Sequence, residues 1–258
     1  MNIGIGISLA NYRPVPTAPL EDPDAAIAAL FSGGEVGAWY DPSDSSTVWQ
    51  DAAGTTPATV GDPVGRIDDK SGNGNHATQT TSAARPVLQS SGGLYYLDFD
   101  GVDDYLTTAT FASGAQAQPN TIALAAELAT TANVMHVDSE FGGLGGRHLY
   151  YNIGADLTLY TNTGVTYAGA NDGSASTWVA LFDGVSKYLR KNGIVQSPTS
   201  GTTVGTNTWS GITMGSRNTG AQNSSSNFYS FVGVNRTLTA GEIADLETYL
   251  AAKSGVTL

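Results

Sequence analysis

Leu97-Asp-Phe-Asp-Gly-Val-Asp-Asp-Tyr-Leu106 and, upstream of it, Asp69-Lys-Ser-Gly-Asn-Gly-Asn-His-Ala77 decide how the chain folds. In the first stretch Asp100-Gly101 makes a turn, and Phe99, Tyr105 and Leu106 stand on either side of it, ready for burial. In the second, Gly72, Gly74 and the asparagines tolerate positive φ, so the chain reverses sharply. Both stretches therefore read as turns between strands, and neither has the pattern of a reaction centre.

The same signals extend outward. From Gly37 to Asn235, short runs rich in Val, Ile, Tyr, Phe and Thr alternate with Gly, Asn, Asp and Ser. Within Thr121–Leu128, Ile122, Leu124, Ala126 and Leu128 fall on one face. Leu157–Tyr160 is a further strand. Trp178–Phe182 and Lys187–Arg190 flank a turn at Asp183-Gly184, and Asn192-Gly193 is a second hairpin turn. Phe228–Val234 is nearly all apolar, as expected of a strand covered on both faces. Many short strands with 32 glycines predict an all-β sandwich or barrel.

Helices are expected only at the ends. Asp22 caps a short helix with Pro23 in its first turn and Ala25–Leu30 as its body, ended by Gly33 and Gly34. Thr239 and Glu242 form a capping box for a closing helix with Ile243, Leu246 and Leu250 on one stripe. Lys253 suits its C-terminal end, and Gly255 stops it. Pro14, Pro16 and Pro19 make the first 20 or so residues an extended arm. The division read from the sequence is 1–35, arm and short helix, and 36–258, sandwich and closing helix.

Composition narrows the function. The 258 residues carry a formal charge of -12, which disfavours nucleic acid and anionic membrane as partners. Charged residues make up 13% of the chain, about half the usual ~25%, so hydroxyls and amides supply the polar surface. Cys is 0, which removes disulfides, thiol catalysis and zinc–thiolate sites. No apolar run reaches the ~18 residues of a membrane span. Met1–Leu9 is apolar but lacks a basic lead and a cleavage site, so no signal peptide is expected and export would bypass the general secretory route.

In order and separation, the two opening motifs resemble the first strands of laminin-G-like jelly-roll domains in the concanavalin A-like lectin/glucanase superfamily. Trp178–Gly184 followed by Asn192-Gly193 is similar to that family's central hairpin. Ile212-Thr-Met-Gly215, Phe228–Asn235 and Leu238–Ile243 are similar to its closing strand and helix. Trp39-Tyr-Asp-Pro-Ser-Asp44 through Gln50–Thr56 resembles a subgroup common in tailed-phage and prophage structural proteins. The resemblance implies an antiparallel jelly-roll β-sandwich over roughly residues 36–255. It also implies a virion surface protein, made in the bacterial cytoplasm, that meets host glycans.

Asp69, Ser71 and Asn73 have the oxygen spacing of a calcium loop, but Thr80 stands where the closing bidentate Glu belongs. Asp100, Asp103 and Asp104 add charge if the loops meet, so Ca²⁺ is a possible ion without assigned ligands. The superfamily's glucanases carry alternating acids on one strand. Asp138-Ser-Glu140, after His136, comes nearest, but Gly142 replaces the third acid. No nucleophile elbow or metalloprotease motif occurs, and Gly142–Gly146 lacks a nucleotide-loop spacing, so no enzyme is expected.

Glycan contacts need aromatic faces and planar polar groups. Arg147, His148 and Tyr150 form one candidate cluster, and Trp209, Arg217 and Asn218 form another. For Tyr150 and Trp209 the competing reading is ordinary packing. Ile3, Ile5 and Ile7 alternate with Gly4 and Gly6, which suits an arm that adds a strand to a neighbouring particle protein. The expected function is a fibre, spike or decoration protein of a phage-like head or tail, often trimeric in such assemblies, that binds host-surface carbohydrate. The alternative is a purely structural subunit with no glycan site.

Overall fold

The computed structural model describes residues 22–129, 133–139, 149–199, 201–218 and 220–258, with backbone alone at 149 and 151–153. Two antiparallel sheets face each other. The first runs, edge to edge, Ile194–Val195, Lys187–Lys191, Ala175–Phe182, Asn120–Glu127, Ser225–Val234, Leu94–Asp100 and Val87–Ser91. Gly37–Tyr40 pairs with the far half of Ser225–Val234. The second runs Gly164–Tyr167, Asp156–Tyr160, Leu149–Ile153, Val134–Asp138, Thr213–Met214, Leu106–Thr107, Ala77–Thr78, Arg66–Ile67 and Val48–Trp49. This is the all-β antiparallel jelly-roll sandwich that the sequence predicts.

Alternation positions the core. Ile122, Leu124, Ala126 and Leu128 point between the sheets, where Trp178, Phe228 and Phe231 also lie, while Ala123 and Ala125 face outward. Each fully buried large side chain there contributes ~1.5–3 kcal/mol. Within Ser225–Val234, the stretch Phe228–Val234 is indeed covered on both faces. Phe228 and Phe231 point in, and Tyr229, Val232 and Val234 point out. A register shift between Phe228 and Ser230 re-phases the strand, so that two inward rings are separated by two residues rather than one.

The outer face of the first sheet is covered by helices. Asp22 caps Pro23–Ala29 through the Asp24 N–H, and Ile27, Leu30 and Phe31 are buried in the outer cluster. Ala240–Ser254 starts with the predicted capping box and ends at Gly255, whose φ is 71°. Leu246, Tyr249 and Leu250 face the sheet, with Ile243 packed beside them. The Trp39 indole N–H donates to the Tyr249 hydroxyl at 2.8 Å.

The two opening motifs are turns, as read. Gly101 has a φ of 77°, and a Cβ there would lie 2.9 Å from Ser225. Phe99 and Leu106 enter the inter-sheet core, and Tyr105 is half-buried. Phe99 packs so closely on Gly215 that a Cβ at that glycine would meet its ring at 2.2 Å. The sheets are also tied by polar groups. Lys187 is buried, donates to Thr161 Oγ1 at 2.9 Å and to the Thr163 carbonyl, and burial pulls its pKa down to about 8.

Candidate functional site

Two of the residues expected to meet a glycan belong to the interior. Tyr150 is 1% exposed, and its hydroxyl donates to the Ile122 carbonyl of the opposite sheet at 2.7 Å. Trp209 is fully buried, edge-on to Phe111 at 5.1 Å, and its indole N–H donates to Asn235 Oδ1 at 3.2 Å. Neither ring offers a face to a sugar, so both expectations are corrected to packing. The Arg217 and Asn218 cluster thereby loses its aromatic platform. Both residues are half-buried in a turn where the Asn218 N–H donates to Asp138 Oδ2 at 3.0 Å. Arg147, His148, Glu140 and the arm residues Ile3, Ile5 and Ile7 lie outside the described residues. His136 and Asp138 are buried, with His136 Nδ1 2.6 Å from the Ser224 hydroxyl.

The loop with calcium-like spacing is closed by its own carboxylate. Asp69 accepts from the N–H groups of Trp39, Ser71 and Asn75 at 2.9 Å each and from the Ser71 hydroxyl at 2.8 Å. Four donors around one carboxylate leave no lone pair directed at a cation. Asn73 and Asn75 donate instead to the carbonyls of Glu35 and Gly37.

Asp100, Asp103 and Asp104 converge, with carboxylate oxygens within 4.8 Å of one another. Asp104 is buried there. Burial, and then the charges of Asp100, Asp103 and Asp98, lift its pKa to about 6 despite the N–H that Asp100 donates to it. A carboxyl whose folded pKa is raised adds stability that is full below the unfolded pKa and is lost as pH rises through about 6. At pH 7 the wild type therefore carries a penalty. Asp104→Asn keeps an acceptor for the Asp100 N–H. It is expected to be more stable than wild type by about 1–2 kcal/mol at pH 7, after allowing for solvent screening, and equal to it near pH 4. Urea unfolding at both pH values checks this. A variant less stable at pH 7 would show that the anion is needed.

A groove of about 490 Å³ opens on the outer face of the first sheet, beyond the helices. Its floor is a row across three adjacent strands, with Asn227 opposite Asp98 on one side and Glu127 on the other. Alternation sends these three side chains outward, because Leu97, Phe99, Ala126 and Phe228 point into the core. Asn227 Nδ2 donates to Glu127 Oε2 at 3.3 Å. Tyr96 lines one end, its ring centroid 5.2 Å from that of Tyr229. Leu128, Ala129, Gly173, Ser225 and Ser226 form the rest of the lining.

The groove is acidic. Burial, and then the charges of Asp100 and Glu127, raise the Asp98 pKa, and burial with Glu127 and Tyr96 does the same to Tyr229. Sequence reading missed this site because its floor comes from three strands far apart in the chain. The available signal was the polar outward position in each alternating run, most plainly Asp98 between Leu97 and Phe99.

No protein-family model matches the sequence, and no curated protein matches it. Solved structures do share the fold. A GH54 α-L-arabinofuranosidase soaked with a cyclic sulfate inhibitor aligns over 88% of this chain and 65% of its own, with a TM-score of 0.60 and 11% identity. Trypanosoma rangeli sialidase in complex with sialic acid aligns over 92% of this chain and 38% of its own, at 0.54 and 14%. The ligand-binding domain of botulinum neurotoxin serotype D, in complex with N-acetylneuraminic acid, aligns over 81% and 51%, at 0.54 and 10%. The chain thus spans less than two thirds of each of these proteins. What they share with it is the fold, an antiparallel β-sandwich. Among the described residues, no helix is long and apolar enough to cross a membrane.

Proposed function

We propose that this chain is a non-catalytic carbohydrate-binding domain, and that the Tyr96–Asp98–Asn227–Glu127 groove holds the sugar. The observation that carries the reading is the row of carboxylate, amide and carboxylate beside the Tyr96 ring, itself packed on Tyr229. Planar acceptors and an amide donor match vicinal sugar hydroxyls, and an aromatic face matches the C–H side of a pyranose ring. The sialic acid bound by the sialidase and by the neurotoxin domain lends support from proteins of the same fold. Binding without hydrolysis is the preferred reading because Asn227 sits between Asp98 and Glu127, its amide engaged with the latter. A hydrolase sets its two carboxyls on either side of the scissile bond, one to protonate the leaving oxygen and the other free to attack the anomeric carbon or activate a water.

A glycan array with wild type and Asn227→Ala tests the proposal. The expected result is retention of a subset of glycans by wild type and a loss of about tenfold or more in the variant, the scale of removing a buried hydrogen-bonding partner. Equal binding by the variant would move the site elsewhere, and no retention by wild type would remove the function. Release of reducing sugar would overturn the non-catalytic reading.

The finer proposal is a place on a phage-like particle, as a fibre, spike or decoration protein of the head or tail facing the host surface. It rests on the likeness of Trp39–Thr56 to phage structural proteins and on the alternating Ile3, Ile5 and Ile7 of the arm. Antibody labelling of particles would locate it there or reject it.

A further inference from the structure

We infer that the groove selects sugars carrying a free, protonated amine over their neutral N-acetylated counterparts and rejects anionic sugars such as sialic acid. This inference rests on the glycan-binding reading above and adds the class of sugar. Asp98 and Glu127 both face the groove, and Asp100 lies close enough to act on Asp98. The described lining carries no basic side chain. Lys191, on the neighbouring hairpin, is held elsewhere: its Nζ lies 2.9 Å from Asp172 Oδ2, donates to the Ala170 carbonyl, and sits over the Trp178 ring. Half-buried carboxylates without a counter-cation attract an ammonium group and repel a carboxylate.

The geometry adds direction. Asn227 already donates to Glu127, so one Glu127 oxygen remains as an acceptor beside the two of Asp98. An ammonium donates three hydrogens and can meet acceptors on both sides of the row, whereas an acetamide offers one N–H and a carbonyl that faces like charge. The sialic acid ligands of the two fold-sharing proteins carry a carboxylate, so this groove differs from theirs in the charge of the sugar it accepts.

The test uses the full chain with three probes: a glucosamine tetramer, its N-acetylated counterpart and sialyllactose. Calorimetry is expected to show the free-amine tetramer bound about tenfold more tightly than the acetylated one, with the difference shrinking at high salt and sialyllactose not bound. In the Asp98→Asn, Glu127→Gln double variant both tetramers lose contacts to the altered groove, and the ratio of their affinities should fall toward parity. Both substitutions are isosteric and remove like charges, so folding is expected to persist, and thermal unfolding verifies it. Equal binding of the two tetramers by wild type would overturn amine selection while leaving the glycan reading intact. Binding of sialyllactose would also overturn it. Binding of the acetylated tetramer only when calcium is added would do the same, by assigning the carboxylates to a metal. No binding of any probe, together with an empty glycan array, would overturn both.

Discussion

Asp69→Ala is expected to lower the unfolding free energy by about 3 kcal/mol or more, because it removes one carboxylate that satisfies four donors. Three of those donors are backbone N–H groups, and the one from Trp39 belongs to the strand that edges the first sheet. Asp69 is only 9% exposed, so water cannot fully replace the lost acceptor. The loop it closes also positions Asn75, whose side chain donates to the Gly37 carbonyl and whose own carbonyl accepts from Tyr40. Loss of the anchor should therefore loosen the start of the sandwich as well as the loop. Asp69→Asn restores one acceptor oxygen but points an N–H₂ at remaining donors, so it should recover less than half. Urea titration reads this as a lower midpoint with an unchanged slope. A loss below about 1 kcal/mol in Asp69→Ala would mean the loop is held by its glycines and asparagines instead.

The jelly roll, the both-faces stretch Phe228–Val234, the Asp183-Gly184 and Asn192-Gly193 turns and the capped closing helix all follow from short-range rules. Turn chemistry, period-two alternation and capping each act over a few residues, so they can be read from one stretch at a time. The motif residues Asp69 and Asp100 are of this kind, since their carboxylates hold turns. The groove is not, because pairing of Asp98, Asn227 and Glu127 depends on which strands become neighbours. Tyr150 and Trp209 failed as site residues for a related reason. Amphipathic rings suit a sugar platform and a core equally well, and only the position of the opposite sheet decides between them. Asp98 shows that the two kinds of residue can be adjacent: Leu97 and Phe99 build the core, while the residue between them faces the groove.

Asp41→Ala is expected to cost about 3–5 kcal/mol, the scale of breaking a buried ion pair by removing one partner. Asp41 is 1% exposed and lies where four parts of the chain meet. It accepts from Lys253 of the closing helix at 2.7 Å, from Lys70 at 3.4 Å, and from the Ser43 N–H and hydroxyl at 3.0 and 2.6 Å. Lys70 also reaches Asp24 of the first helix at 2.8 Å and Asp44 at 2.9 Å, and lies over the Trp39 ring. Burial opposes its charge, but the bonds from Asp24 and Asp44 and the charge of Asp41 outweigh that and raise its pKa. Lys70 is thus committed to the charged form, and without Asp41 the Lys70 and Lys253 side chains lose the carboxylate they share. Asp24 and Asp44 are each about one-third exposed, so Asp24→Ala should cost under about 1 kcal/mol. A double-mutant cycle of Asp41→Ala with Lys253→Met separates the pair from the rest. If the network acts as a unit, the double variant should be more stable than Asp41→Ala alone, because it removes a part-buried ammonium left with only Asp24 at 3.5 Å and the Ser43 hydroxyl at 3.0 Å. Additive losses, or a cost for Asp41→Ala no larger than for Asp24→Ala, would mean that apolar packing of Ile27, Trp39 and Tyr249 alone holds the helices to the sheet.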